Sequence, residues 1–406
     1  MANREFTLPG IQDLNKDQED ARALPKQGQH LIIGGPGTGK SVLALLRARR
    51  YQQDNDNYVF LVYNTLLKQA SYQLFGKDLE SKQWQAWFRD TFEKIANQPI
   101  PRCVGNGHQY DWNRVSAIID ALPRAPGASR PFLICDEGQD MPPSFYQALA
   151  NLGFENFFVV ADGNQQIIPT EGSKPIPEIA GFLGYQHHFA DGVTEGVWLK
   201  TNDDGTTNQL IDLLENYRNS YPIAKLAREF FTYSTSKLPK LPENRPSTIR
   251  PLLYTYPEDK FSSIIKNILK NADRTPAKLI GIITPDNNVR IRYFNALNNA
   301  QVNLDNGKPR IVTYATNDIP NENLLFNKGG IMVINAASCK GLEFDIVFLA
   351  DINEYPCNAN NPDQTKRLFY VMVARAKEMV VMLKKANNHC PVDSILPKDT
   401  TILERK

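Results

Sequence analysis

Short apolar runs rich in β-branched and aromatic residues recur along the chain, separated by longer polar, helix-forming stretches. A first set lies at residues 30–33, 58–63, 132–135 and 157–161, and a second at 279–284, 331–334, 346–350 and 379–383. Runs this short and this continuously apolar are what strands look like when both faces of a parallel sheet are covered. The pattern predicts an α/β protein of two similar units, with a helix over residues 42–50 following the first run. The change of unit is expected between residues 181 and 207, where aromatic and glycine residues give way to the turn Thr201-Asn202-Asp203-Asp204-Gly205. That gives units over 1–200 and 201–406. Leu238-Pro239-Lys240-Leu241-Pro242 reads as an exposed interruption of the second unit rather than a boundary.

The length of 406 residues accommodates about two to three domains, each with its own core. A hydrophobic content of 42% and a charged content of 22% are those of a soluble globular protein. No run is long and apolar enough to span a bilayer, and Met1-Ala2-Asn3-Arg4-Glu5 lacks a signal-peptide core, so a cytoplasmic protein is expected. Cys103, Cys135, Cys339, Cys357 and Cys390 are scattered, without C-x-x-C spacing, and read as core or incidental thiols. The adjacent His187 and His188 point different ways on any regular backbone and read as solvated or hydrogen-bonded, not metal-binding. A net charge of +2 supplies no dominant basic field, so any nucleic-acid contact must come from a local groove.

The chemistry begins at Gly34-Gly35-Pro36-Gly37-Thr38-Gly39-Lys40-Ser41, which fits G-x-x-x-x-G-K-[ST] between an expected strand and an expected helix. Backbone N–H groups of such a turn converge on phosphate oxygens; Lys40 can reach the β- and γ-phosphates, and the Ser41 hydroxyl can ligate magnesium. ATP and Mg2+ are the expected cofactors. The run at 132–135 ends in Asp136-Glu137, which suits Asp136 to holding hydrated magnesium and Glu137 to polarising an attacking water. Trp84, Trp87 and Phe88 fall on one side of an expected helix; that stripe reads as core, with base stacking as the alternative. Arg47, Arg49 and Arg50 read as a solvated face of the helix after the phosphate loop.

The acidic string continues as Asp136-Glu137-Gly138-Gln139-Asp140, and this resembles motif II of superfamily 1 helicases of the UvrD/Rep type. Further motifs occur in the family's order. Leu14-Asn15-Lys16-Asp17-Gln18 is similar to the adenine-reading segment, with Gln18 pairing with the base edge. Ala161-Asp162-Gly163-Asn164-Gln165 is similar to motif III, whose glutamine, Gln165, senses the γ-phosphate. Glu215-Asn216-Tyr217-Arg218-Asn219-Ser220 resembles motif IV, implying that Tyr217 stacks on adenine and Arg218 contacts the γ-phosphate. The string from Ser338 to Asp345 is similar to motif V, which brings Glu343 to the nucleotide. The string from Phe369 to Lys377 is similar to motif VI, which makes Arg375 the arginine finger.

The resemblance implies two tandem RecA-like P-loop domains with parallel sheets and an ATP site in the cleft between them. It further implies an ATP-dependent translocase or helicase moving on single-stranded DNA, 3′ to 5′, working with a protein partner such as a nuclease. Two other readings stand beside it: an ATP-gated regulatory or assembly subunit of a nuclease or antiviral defence complex, and an RNA helicase. The family's large accessory domains find no room in residues 66–130 or 295–330. Two of its DNA-stacking aromatics are missing from Gln166-Ile167-Ile168-Pro169-Thr170 and absent or displaced at Tyr63-Asn64-Thr65.

Overall fold

Every apolar run is a strand, and the helices between them cover both faces of two parallel sheets. The computed structural model describes residues 14–63, 81–123, 130–165, 175–188, 197–202, 205–232, 237–314, 324–358, 360–386 and 388–406. In the first half the strands are β1 (Gln29–Gly34), β2 (Tyr58–Val62), β3 (Ser81–Gln83), β4 (Arg102–Cys103), β5 (Asn106–Tyr110), β6 (Phe132–Cys135), β7 (Phe157–Ala161), β8 (Gln186–His188), β9 (Val197–Thr201), β10 (Thr207–Gln209) and β11 (Ile211–Leu213). The helices are α1 (Lys16–Ala23), α2 (Lys40–Gln53), α3 (Trp84–Ala96), α4 (Trp112–Asp120), α5 (Pro143–Asn151) and α6 (Pro175–Phe182). The main sheet is parallel, in the order β11-β1-β7-β6-β2-β3. β10-β9-β8 form a separate antiparallel sheet and β4-β5 a ribbon.

In the second half, α7 (Tyr221–Glu229), α8 (Phe261–Arg274), α9 (Asn287–Asn299) and α10 (Asp363–Val373) pack around β12 (Leu252–Tyr256), β13 (Leu279–Thr284), β14 (Ile311–Tyr314), β15 (Gly330–Asn335), β16 (Phe344–Leu349), β17 (Ala376–Lys385) and β18 (Glu404–Arg405). These seven strands form a second parallel sheet, β14-β15-β13-β16-β17-β12-β18. The chain is thus an α/β protein of two tandem RecA-like domains. Successive side chains of a strand point to opposite faces, so a run without polar residues feeds two cores at once. Leu31 and Ile33 of β1 enter one core, with Phe88, Phe145 and Phe157, whereas Ile32 enters another, with Leu43, Ala48 and Phe158. The second sheet divides its strands between two cores in the same way.

Four sequence expectations meet a different arrangement or a decision here. The first sheet keeps the chain beyond residue 200, because Ile211–Leu213 returns to pair with Ile32–Gly34 as the edge strand. Arg47 is buried rather than solvated: its guanidinium donates to the carbonyls of Leu24 (2.6 Å) and Pro25 and stacks 4.9 Å from the Phe158 ring, while Arg49 and Arg50 are exposed. Pro239 and Pro242 are buried, not exposed, because the segment lies against the phosphate loop. Trp84 and Phe88 are core, with Phe145 stacked edge-on against both, and Trp87 packs on the same cluster.

Candidate active site

Three neighbouring strands of the first sheet, β1, β7 and β6, end side by side, and the turns after them carry the phosphate loop, Asp162 and Asp136-Glu137. In open α/β sheets this carboxyl-terminal rim is where ligands sit. The loop runs into α2 through Gly39 in a left-handed conformation (φ 90°), with no side chain capping the helix and no acidic residue in its first turn. Its first N–H groups therefore have no side-chain partner, and the end is electropositive. Gly37 is also left-handed (φ 73°).

The glycines are further required by what surrounds the loop. A Cβ on Gly35 would lie 2.2 Å from Pro239, one on Gly37 2.5 Å from the Asn216 side-chain oxygen, and one on Gly39 2.5 Å from the Gln18 amide. Pro36 lines a small cavity together with Pro239 and Asn216. Thr38 Oγ1 and Lys40 Nζ both donate to the Gly35 carbonyl, each at 2.8 Å. Gln18 uses both ends of its amide: Nε2 donates to the Thr38 carbonyl at 2.9 Å, and Oε1 accepts from Asn15 N–H at 3.1 Å in a capping box. Burial pulls the Lys40 ammonium below its usual pKa against the opposing charges of Asp162 and Glu137.

Asp136 and Glu137 follow β6 directly, both buried. Asp136 is hydrogen-bonded to Ser41 and pushed up by burial and by the neighbouring Glu137. Glu137 sits in the left-handed region (φ 57°), a strained setting for a non-glycine residue. Burial would raise its carboxyl, but Lys340, Lys40 and Arg375 outweigh burial and hold it below the usual value. Gln139 Nε2 donates to the Glu137 carboxylate at 2.7 Å, while its Oε1 accepts from Asp162 N–H at 2.9 Å, locking the two strand ends together. A Ser hydroxyl and a carboxylate are hard oxygen donors, the set that suits a hydrated magnesium ion, and the glycine turn ends in a helix N-terminus with no side-chain cap, which suits a phosphate. The residues present fit both groups.

The second domain closes on this rim with the opposite ends of its strands. Lys340 and Glu343 precede β16 and Arg375 precedes β17, two adjacent strands. Lys340, 4% exposed, donates to the Gln165 carbonyl at 2.6 Å, pairs with the Asp140 carboxylate and lies 3.9 Å from Glu137. Burial pushes Asp140 up to about 6 in spite of that lysine. Arg375, 1% exposed, donates to the Gln165 side-chain oxygen at 2.7 Å and to the Val371 carbonyl at 3.1 Å. Gln165 Nε2 in turn donates to Asp162 at 2.7 Å, so one glutamine joins the two domains. Beside it, Asn164 accepts from the N–H and the hydroxyl of Thr232, which also accepts from Arg367.

Arg218 and Glu343 form an ion pair at 2.5 Å, with Lys377 3.3 Å from the same carboxylate. Burial favours the neutral acid, yet Arg218 and Lys377 hold Glu343 at about 2. Tyr217 is 36% exposed, while its N–H donates to the Gly37 carbonyl at 2.8 Å. Asn219 anchors this turn: fully buried, it donates to the carbonyls of Ala374 (3.1 Å) and Ala376 (2.5 Å) and accepts from Asn216 at 2.9 Å.

The structure therefore brings together Gln18, residues 35–41, Asp136, Glu137, Gln165, Tyr217, Arg218, Glu343 and Arg375. The sequence reading assigned no role to Lys340, Gln139, Asp140, Asp162, Asn216 or Asn219. Asp162, Gln139 and Asp140 stand at or just beyond the end of runs that otherwise feed a core, whereas Lys340, Asn216 and Asn219 were visible only as members of the strings quoted above. Residues 64–65 and 166–170, where stacking aromatics were sought, lie outside the described residues. Among the described residues no group of histidine, cysteine or carboxylate side chains forms a metal cluster, and no helix is long and apolar enough to cross a membrane.

Residues 330–383 match the UvrD-like helicase C-terminal domain family. Among solved structures, the C-terminal domain of a possible DNA helicase from Lactobacillus plantarum WCFS1 is similar to 47% of this chain at 18% identity, covering 98% of its own length with a TM-score of 0.32. No curated protein matches the chain.

Proposed function

We propose that this chain, whose second unit carries a UvrD-like helicase C-terminal domain, hydrolyses ATP between its two domains and uses the cycle to move on single-stranded DNA. The observation that carries the reading is the contact of Arg375 with Gln165, which puts a cation of the second domain against the residues that flank the catalytic acids of the first. The loop N–H groups and Lys40 bind the phosphates, with Tyr217 beside the adenine and Gln18 at its edge. Ser41 and Asp136 would hold magnesium, which when bound would neutralise the charge that develops on the phosphates. Glu137, kept ionised by Lys340, accepts a proton from the attacking water. Arg375 and Arg218 stabilise the transferring phosphoryl group; Arg218 reaches it by exchanging Glu343 for phosphate. Arginines in such positions contribute roughly 10³ to 10⁵ in rate.

Because the acids and the arginines belong to different domains, turnover requires closure, and loss of the γ-phosphate removes a shared ligand and lets the domains part. A strand lying across both is then drawn along, 3′ to 5′ as the family likeness implies. A second reading, an ATP-gated subunit of a nuclease or defence complex, is favoured by one observation. Trp84 and Phe88, the candidate replacements for missing base platforms, are buried in the core. The ATPase rate with single-stranded DNA, with RNA and with no polymer separates the readings. Stimulation by DNA alone supports the translocase, stimulation by RNA the RNA motor, and indifference to both the switch.

A further inference from the structure

Tyr370, on α10, is 2% exposed, and its ring packs edge-on against Phe231 at 5.7 Å. Its hydroxyl is enclosed without any hydrogen-bond partner. An enclosed hydroxyl with no partner is costly, and a phenylalanine would fill the same space without that cost. The hydroxyl stands 3.2 Å from the point where a Cβ on Gly35 would be, beside Pro239, which has no N–H to offer. Burial and the nearby Asp162 push the phenol well above its ordinary value, so it remains a protonated donor.

What it faces is the loop residue whose carbonyl currently holds Lys40 Nζ at 2.8 Å. A lysine bonded there is not bonded to phosphate; to reach a nucleotide it must let that carbonyl go, leaving it the Thr38 hydroxyl (2.8 Å) on one lone pair and the second lone pair open. We propose that Tyr370 is a positioning residue: as Lys40 leaves the Gly35 carbonyl for the phosphates, the Tyr370 hydroxyl takes its place as donor to that carbonyl. This rests on the reading of the site as an ATP site. The second domain then senses through its own helix whether the lysine has been drawn onto phosphate, and the enclosed hydroxyl gains its partner only in the loaded state. Pro239 walls the loop on the same side and keeps Gly35 within reach.

The proposal predicts opposite signs for two properties of Tyr370→Phe. The nucleotide-free protein should unfold at the same or a higher temperature, since an unsatisfied hydroxyl is gone. Affinity for a non-hydrolysable ATP analogue, measured by titration calorimetry, should fall about tenfold, the worth of one hydrogen bond in the loaded state. In steady state KM should rise by a similar factor with kcat within about threefold of wild type, by the same bond made in ground and transition states alike. In a Lys40→Ala background the Gly35 carbonyl keeps the Thr38 hydroxyl but its second lone pair is already open, so there Tyr370→Phe should lower the unfolding temperature. Analogue affinity within twofold of wild type, or the same destabilisation in both backgrounds, overturns the role of Tyr370. A wild-type protein that binds no analogue overturns the ATP reading itself, and the two failures are distinct.

Discussion

Replacing Asn219 by alanine tests whether one side chain holds both cationic arms of the second domain. It is fully buried and makes three side-chain hydrogen bonds, to Ala374, Ala376 and Asn216; the first two lie on either side of Arg375, and the third holds the turn bearing Arg218. At a net ~1 kcal/mol per bond, with the two carbonyls left enclosed, the loss comes to about 3 kcal/mol. For a domain of about 200 residues that lowers the midpoint of thermal unfolding by roughly 6–12 °C. Turnover should fall as well, because Arg218 N–H donates to the side-chain oxygen of Asn216, whose amide nitrogen is steadied by donating to the Asn219 side chain. Asn219→Asp keeps the volume and the acceptor but sets a carboxylate against two carbonyls, so it should be no less damaging. Scanning calorimetry and an ATPase assay on both variants decide the matter. A midpoint within about 2 °C of wild type together with unchanged turnover would refute the anchoring role.

Glu137→Gln should retain nucleotide and lose hydrolysis, since the amide keeps its place beside Gln139 but cannot take a proton, whereas Lys40→Ala should lose affinity; equal losses of affinity in filter binding would contradict these roles. Arg375 is enclosed and bonded to main-chain carbonyls, so Arg375→Lys is the informative substitution, with turnover lower by roughly 10³ and nucleotide affinity within a few-fold; a loss under tenfold removes the finger assignment. Trp84→Ala should destabilise by about 3–5 kcal/mol in chemical denaturation, as expected for an emptied aromatic core site, and a stable variant that binds single strands more weakly would reverse that reading. The purified chain should step along a strand yet stall at a duplex, where each base-pair step resists with about 1.4 kcal/mol; robust unwinding of a long duplex in a gel-shift assay by this chain alone would count against it.

The phosphate loop, the acidic pair and the strands were legible because each is a local property: a glycine spacing, a carboxylate at the end of an apolar run, an uninterrupted run itself. What escaped was set by partners distant in the chain. Arg47 looks like surface until the carbonyls of Leu24 and Pro25 arrive at its guanidinium from more than twenty residues away. Pro239 looks like a solvated proline until Gly35 is seen to need its place kept clear. Lys340 was visible only as part of a motif; that it crosses between domains to Asp140 is fixed by the second sheet's packing, which no nearby residue encodes. The edge strand of the first sheet escaped for the same reason, since a strand of three residues carries almost no periodicity of its own and is identified by its pairing.

That three-residue strand also has a bearing on how the chain acquires its shape. Ile211–Leu213 supplies the outer edge of β1, the strand that leads into the phosphate loop. During synthesis, at about 5–20 residues per second, residues 29–34 emerge many seconds before the segment that covers them. Until then β1 presents unpaired backbone groups, the kind of edge that recruits foreign strands. The nascent first domain therefore passes through a sticky interval that ends only when the connection to the second domain has left the ribosome. Any cut made at residue 200 would make that interval permanent.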